Sequence, residues 1–183
     1  MAEVMSLGTL AAEPALDHPE QLAPSTMHAL AAFGRAGQVA VAPIDPGLAD
    51  TAEFCAAYRV PPGACANCVV VTGKRAGEQR WAAAVILATT RADVNGAIRK
   101  RLDVRKLSFA PMAQAVDRTG MEYGGITPIG LPAGWPILVD AAVVAAGPVV
   151  IGAGIRGAKI ILDGALLSHL PGAEVIEGLA IPV

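Results

Sequence analysis

Two apolar runs, NCVVVTG (residues 67–73) and WAAAVILA (81–88), flank the short polar stretch KRAGEQ (74–79). β-Branched and apolar runs on either side of a polar turn containing Gly77 specify a β-hairpin. Antiparallel pairing near the middle of the chain argues against a purely parallel, doubly wound sheet. The surrounding pattern is irregular in the same sense. QVAVAPI (38–44), RKLSFA (105–110), PILVD (136–140), PVVIGAG (148–154), AKIILD (158–163) and AEVIEGLAI (173–181) read as extended segments.

Helices are expected between them. One starts at Ser25 or Thr26 as cap. A second opens at Asp50-Thr-Ala-Glu53, a capping-box-like start, and runs to about Tyr58 before VPPG stops it. Thr90 is placed to cap a helix from Arg91 to about Leu102, and PMAQAVDRTG forms another between Pro111 and Gly120. A short helix is expected over 164–170. Hairpins mixed with βα steps predict a single α/β (α+β) domain, a mixed, curled β-sheet with surrounding helices that curls toward a barrel. Residues 1–24, with several prolines and no Lys or Arg, read as an irregular extension, and residues 25–183 as the domain.

The core must be aliphatic, because 54% of residues are hydrophobic while only 4% are aromatic. So few rings argue against an aromatic platform for stacked bases. With a net charge of −2, no global basic field attracts nucleic acid, and a DNA partner is not expected. One stretch stands out: Arg91, Arg99, Lys100, Arg101, Arg105 and Lys106 lie close together, opposed only by Asp93 and Asp103. It is either a solvated face or a phosphate-contact patch. The N-terminus has no signal-peptide pattern, no apolar run reaches membrane-spanning length, and three cysteines suit a reduced, cytoplasmic protein.

Several motifs compete for function. Gly152, Gly154 and Gly157 match G-x-G-x-x-G after a strand, a dinucleotide fingerprint, but the following AKIILD reads as a strand where the fingerprint needs a helix. Cys65-Ala-Asn-Cys68 leads into a strand and lacks the partners of a zinc site, so ordinary reduced thiols and no metal are expected. His169 sits where a C-terminal capping cation would. The most specific feature is GGITPIG (124–130): three glycines and a proline in seven residues define a fixed loop of bare backbone.

TGMEYGGITPIG (119–130) resembles the YbaK-family segment in which TG is followed, after a few residues, by GG-[VI]-[ST]-P-x-G. PILVD and IGAGIRG then resemble the family's "lDe" strand and "SAGkRG" turn, and the similarity extends over about residues 26–180. The family is related to the editing domain inserted in bacterial prolyl-tRNA synthetases. The resemblance implies an aminoacyl-tRNA deacylase without cofactor. Its partner would be the 3′-terminal adenosine and amino acid of a mischarged tRNA, and a homo-oligomer is left open. It implies a ligand site at Cys68, Gly124, Gly125, Thr127, Pro128, Gly130, Gly152, Gly154 and Arg156. If tRNA binds, the basic stretch is expected to contact it through Arg99, Lys100, Arg101, Arg105 and Lys106.

The chain also departs from the family. Where editing members carry a lysine in a K-[ST]-L-V motif, this chain has Asn67-Cys68-Val69-Val70. A new lysine, Lys159, stands in an otherwise apolar strand, where a lone ammonium is costly without a partner or a task. The expectation is that the ammonium has moved, so Lys159 and Asn67 are the candidate catalytic residues. The alternative is a binding module that keeps the pocket and has lost the reaction.

Overall fold

The computed structural model describes residues 5–183. The first four residues of the expected extension lie outside it. The hairpin forms as its sequence requires. β3 (Ala66–Arg75) and β4 (Glu78–Leu87) pair antiparallel through all ten positions. Ala76 and Gly77 turn the chain with φ of 51° and 81°, the backbone twist that suits a two-residue hairpin loop.

Three sets of strands are paired among the described residues. A five-stranded mixed sheet has the order β10 (Ala173–Ile176), β7 (Ile137–Asp140), β4, β3, β6 (Leu107–Phe109). A four-stranded antiparallel sheet runs β1 (Glu13–Pro14), β2 (Ala40–Pro43), β9 (Ala158–Asp163), β8 (Pro148–Gly152). A small ribbon joins β5 (Thr90–Ala92) to β11 (Ala180–Pro182). The two larger sheets touch through one parallel bridge, Cys65 to Val150. The mixed α/β class stands, but the expected curl does not close into a barrel.

Strand alternation decides the layers. Ala66, Val85 and Val139 project from one face of the five-stranded sheet into a core shared with Ile151, Ile160 and Leu162 of the other sheet. Val71, Ala84 and Leu138 project from the opposite face and pack under Ile98 and Leu102. The outer face of the four-stranded sheet is covered by α2 (Thr51–Tyr58) through Phe54 and Cys55, with Leu10 beside them. Residues 5–24 are thus short on regular structure yet packed: Leu10, Ala15, Leu22 and Ala23 are all buried.

Several local expectations are corrected. α1 spans Pro24–Ala31, with Pro24 in its first turn and Ala23 at the cap position, so Ser25 and Thr26 lie inside it. Thr90 opens no helix. It begins β5, and Asp93 caps the following turn by accepting from the Gly96 and Ala97 amides, so the regular helix α3 is only Arg99–Leu102. Gly96 has room only for hydrogen because the Asp93 carboxylate fills its side-chain position. α4 (Met112–Thr119) ends at Gly120 with φ 67°, as its sequence indicates. A one-turn helix α5 (Ala141–Val144), capped by Asp140, follows β7 unforeseen. The C-terminal extended segment breaks into β10 and β11.

Candidate functional site

A cavity of about 360 Å³ opens where β3 and β8 diverge beyond the Cys65–Val150 bridge. β6 pairs with β3 only from Val71 onward, with one further bond from the Ala110 amide to the Val70 carbonyl. Among the described residues, the edge of β3 over residues 66–69 therefore has no strand beside it on the cavity side. Such an edge offers backbone donors and acceptors to a ligand. The walls are completed by Ala49, Asp50, Thr51 and Phe54 around the start of α2, and by Phe109, Tyr123, Gly124 and Ile126 at the mouth.

Lys159 and Asn67 both line this cavity. Lys159 extends from β9, opposite Ala42 on one side and Gly152 on the other. Its Nζ donates to the Ala49 carbonyl at 3.2 Å and sits 5.2 Å from the centre of the Phe54 ring. Burial pushes the ammonium below its ordinary pKa. On β3, Asn67 accepts from Thr51 Oγ1 at 3.1 Å, so its amide NH2 remains available to donate.

The other expected site residues divide into two groups. Cys68, Gly124 and Gly152 line the cavity, whereas Gly125, Thr127, Pro128, Gly130, Gly154 and Arg156 do not. The reason is that the 124–130 loop is docked on the turn between β8 and β9. Gly154 donates to the Gly125 carbonyl at 2.7 Å, and Glu122 donates to the Gly154 carbonyl at 2.9 Å. A Cβ on Gly125 would stand 2.6 Å from the Ile155 carbonyl oxygen, and one on Gly152 would stand 2.5 Å from that of Gly125. These glycines serve backbone-to-backbone packing. The Gly125 amide is itself spent on the Glu122 carbonyl, so it is not free as a donor to a ligand. Thr127 is fully buried, with its amide directed at Met121 Sδ.

Arg156 braces the mouth. Its guanidinium donates to the carbonyls of Tyr123 and Pro46, both at 3.2 Å, and reaches Asp50 at 4.0 Å. Asp50 occupies the cap position of α2, but its carboxylate accepts no amide there, contrary to the capping expectation. Asp50 is among the residues that line the cavity, and its side chain is 73% exposed. The basic stretch is spread out: Arg101 is paired with Glu174, Arg99 folds back on the Asn95 carbonyl, and Arg105 and Lys106 are exposed just before β6.

Cys55 and Cys65 are buried, and Cys68 is half-buried at the cavity wall. Cys65 faces Cys55, Sγ to Sγ 3.2 Å, and not Cys68. Burial pushes Cys65 and Cys68 each up to about 12, which removes a thiolate near neutrality. The G-x-G-x-x-G match also loses its context. Gly152, Gly154 and Gly157 connect two antiparallel strands, β8 and β9, with no helix N-terminus to receive a pyrophosphate.

The aminoacyl-tRNA editing domain family matches residues 45–170, which include every lining residue of the cavity. The chain belongs to that family. No curated protein matches it. Among solved structures, a candidate trans-editing enzyme for prolyl tRNA synthetase is 21% identical with a TM-score of 0.72, covering 85% of this chain and 97% of that one. A hypothetical protein, APE2540, is 20% identical with a TM-score of 0.74, covering 86% and 99% respectively. At such identities these two likenesses establish the editing-domain fold. Reading the sequence alone missed Asp50, Thr51, Phe54, Phe109 and Tyr123 as cavity residues. Tyr123 stood next to the double glycine, and Asp50 and Thr51 stood in a motif read as a helix cap.

Proposed function

We propose that the cavity hydrolyses the ester between an amino acid and the 3′-terminal adenosine of a mischarged tRNA, with Lys159 supplying the cation that relatives carry at the position of Asn67. The observation that carries this reading is the place of the Lys159 ammonium. It is the only cationic side chain among the lining residues, and among the described residues just one of its three donors is bound. Membership of the editing-domain family supports the substrate class.

In the reaction, a water oxygen bonds to the ester carbonyl carbon and the carbonyl electrons move onto its oxygen. The Lys159 ammonium and the Asn67 amide are donors for that oxyanion. Pre-positioned donors of this kind act strongly in a site shielded from water. Collapse breaks the carbon–oxygen bond to the ribose, and the proton from water ends on the ribose oxygen. Asp50, the one carboxylate among the lining residues, is available to carry it.

Incubation with a panel of mischarged tRNAs tests the proposal. At least one should lose its amino acid faster than the uncatalysed rate. A second reading, a binding module without the reaction, rests on the loss of the lysine at position 67. Retention of an aminoacyl-tRNA with no hydrolysis across the panel would establish that reading and overturn the first.

A further inference from the structure

The chain has seven aromatic side chains. Two of them, Phe109 and Tyr123, are each 58% exposed, and both line the same cavity. The other five are buried or half-buried. Exposed aromatic rings lose hydrophobic stabilisation, so two at one mouth need an explanation beyond chance scatter.

Both rings stand on held backbone. Phe109 lies on β6, in register with Val71 of β3. Tyr123 precedes Gly124, and its carbonyl is gripped by the Arg156 guanidinium. The Arg156 Nη1 also occupies the space that a side chain on Gly124 would need. The two rings therefore come from separate elements and are positioned before any ligand arrives. The same cavity is lined by residues 66–69 of β3 and by Lys159.

We propose that Phe109 and Tyr123 form the stacking surface for the terminal nucleobase of the RNA whose aminoacyl ester enters the cavity. This rests on the aminoacyl-tRNA reading above and adds a subsite to it. An aromatic face takes any base, because every base has a π surface. A flat base lying at the mouth leaves its ribose oxygen, and hence the ester, pointing toward Lys159. The proposal runs against the expectation that a chain so poor in aromatics holds nucleic acid without stacking. Two rings suffice when they stand at the one place where a single base must rest.

The test uses the full-length protein and an RNA trinucleotide, CCA, whose terminal base is 2-aminopurine. Stacking should quench the 2-aminopurine fluorescence on binding. Phe109→Ala and Tyr123→Ala should each weaken binding about five-fold or more and restore the fluorescence of whatever remains bound. Phe109→Trp should preserve quenching, while Phe109→Leu, apolar but without a π face, should lose it. If wild type binds the trinucleotide unquenched, or the alanine variants bind and quench as wild type does, the stacking surface is refuted and the deacylase reading stands. If wild type binds no trinucleotide and deacylates no mischarged tRNA, both fall together. If the substitutions leave nucleotide binding intact but dissolve a dimer in solution, the rings belong to a protein contact and the proposal is overturned.

Discussion

In the proposed reaction the chemistry turns on Lys159, and its surroundings predict opposite effects on activity and stability. Removing an oxyanion donor of this kind typically costs two to three orders of magnitude in rate, so Lys159→Ala should lower deacylation by about 10²-fold or more. Asn67→Ala should weaken it by about ten-fold, since a neutral donor contributes less than a charged one. The pH profile follows from the direction of the Lys159 shift. Its pKa in the folded protein lies below the ordinary value of 10.5, so the folded state binds fewer protons than the unfolded state at alkaline pH. Stability therefore rises with pH from the lowered folded-state value up to about 10.5. The burial penalty is fully present at neutral pH. Lys159→Met, which removes the charge and keeps an unbranched chain over Phe54, should raise the thermal midpoint while abolishing activity. In wild type, catalysed deacylation should decline at a pH below the ordinary lysine range. A profile flat beyond pH 10.5, after subtraction of the uncatalysed rate, would show that the ammonium is not needed.

At the scale of elements, the docking of the 124–130 loop on the β8–β9 turn sets the mouth of the cavity. Gly125→Ala would drive a Cβ into the Ile155 carbonyl, where backbone on both sides must move. It should cost about 1–3 kcal/mol, as overpacking does, read as a lower denaturation midpoint at unchanged denaturant slope. Gly120→Ala is the control. Its φ is 67°, but nothing lies within 4 Å of the added Cβ, so only the left-handed backbone cost of about 1 kcal/mol applies. Equal losses would refute the docking role. This contrast also explains what could be read from sequence. The hairpin 66–87, α4 and strands β7 to β9 were legible because each has its own period and its own turn residues. The glycines of 124–130 were legible as special, but not as packed against 152–157, because that contact spans about thirty residues of chain. The helix expected after Thr90 failed for a similar reason. Its first residues pair with β11 from the far C-terminus, and Asp93 supplies a stronger cap three residues later. The cavity's α2 wall went unseen because Asp50 and Thr51 look like ordinary capping residues.

Across the whole molecule, a net charge of −2 means that the proposed RNA substrate would have to be drawn by local patches, and the architecture ranks the basic residues. Arg99, Lys100 and Arg101 lie on α3, which follows the turn whose Ile98 packs on the sheet face turned away from the core shared by the two sheets. Arg101 is already neutralised by Glu174, and the Arg99 guanidinium is held to its own chain at Asn95. Arg105 and Lys106 differ. They are exposed at the start of β6, the edge strand whose other end, Phe109, reaches the cavity mouth. An RNA strand that left the cavity along that edge would pass them within a few residues' length, about 10 Å at ~3.3 Å per residue. Each phosphate contact with single-stranded RNA contributes about 0.7 to the log–log slope of affinity against salt. Neutralising Arg105 and Lys106 together, as Arg105→Gln with Lys106→Gln, should therefore reduce that slope by about 1.4 in tRNA binding. Arg101→Gln should change it by much less, because its charge already has a partner. A slope that falls for Arg101→Gln and holds for the Arg105 and Lys106 pair would place the RNA path over α3 instead of along β6. No change in either would return the whole basic stretch to a solvated surface.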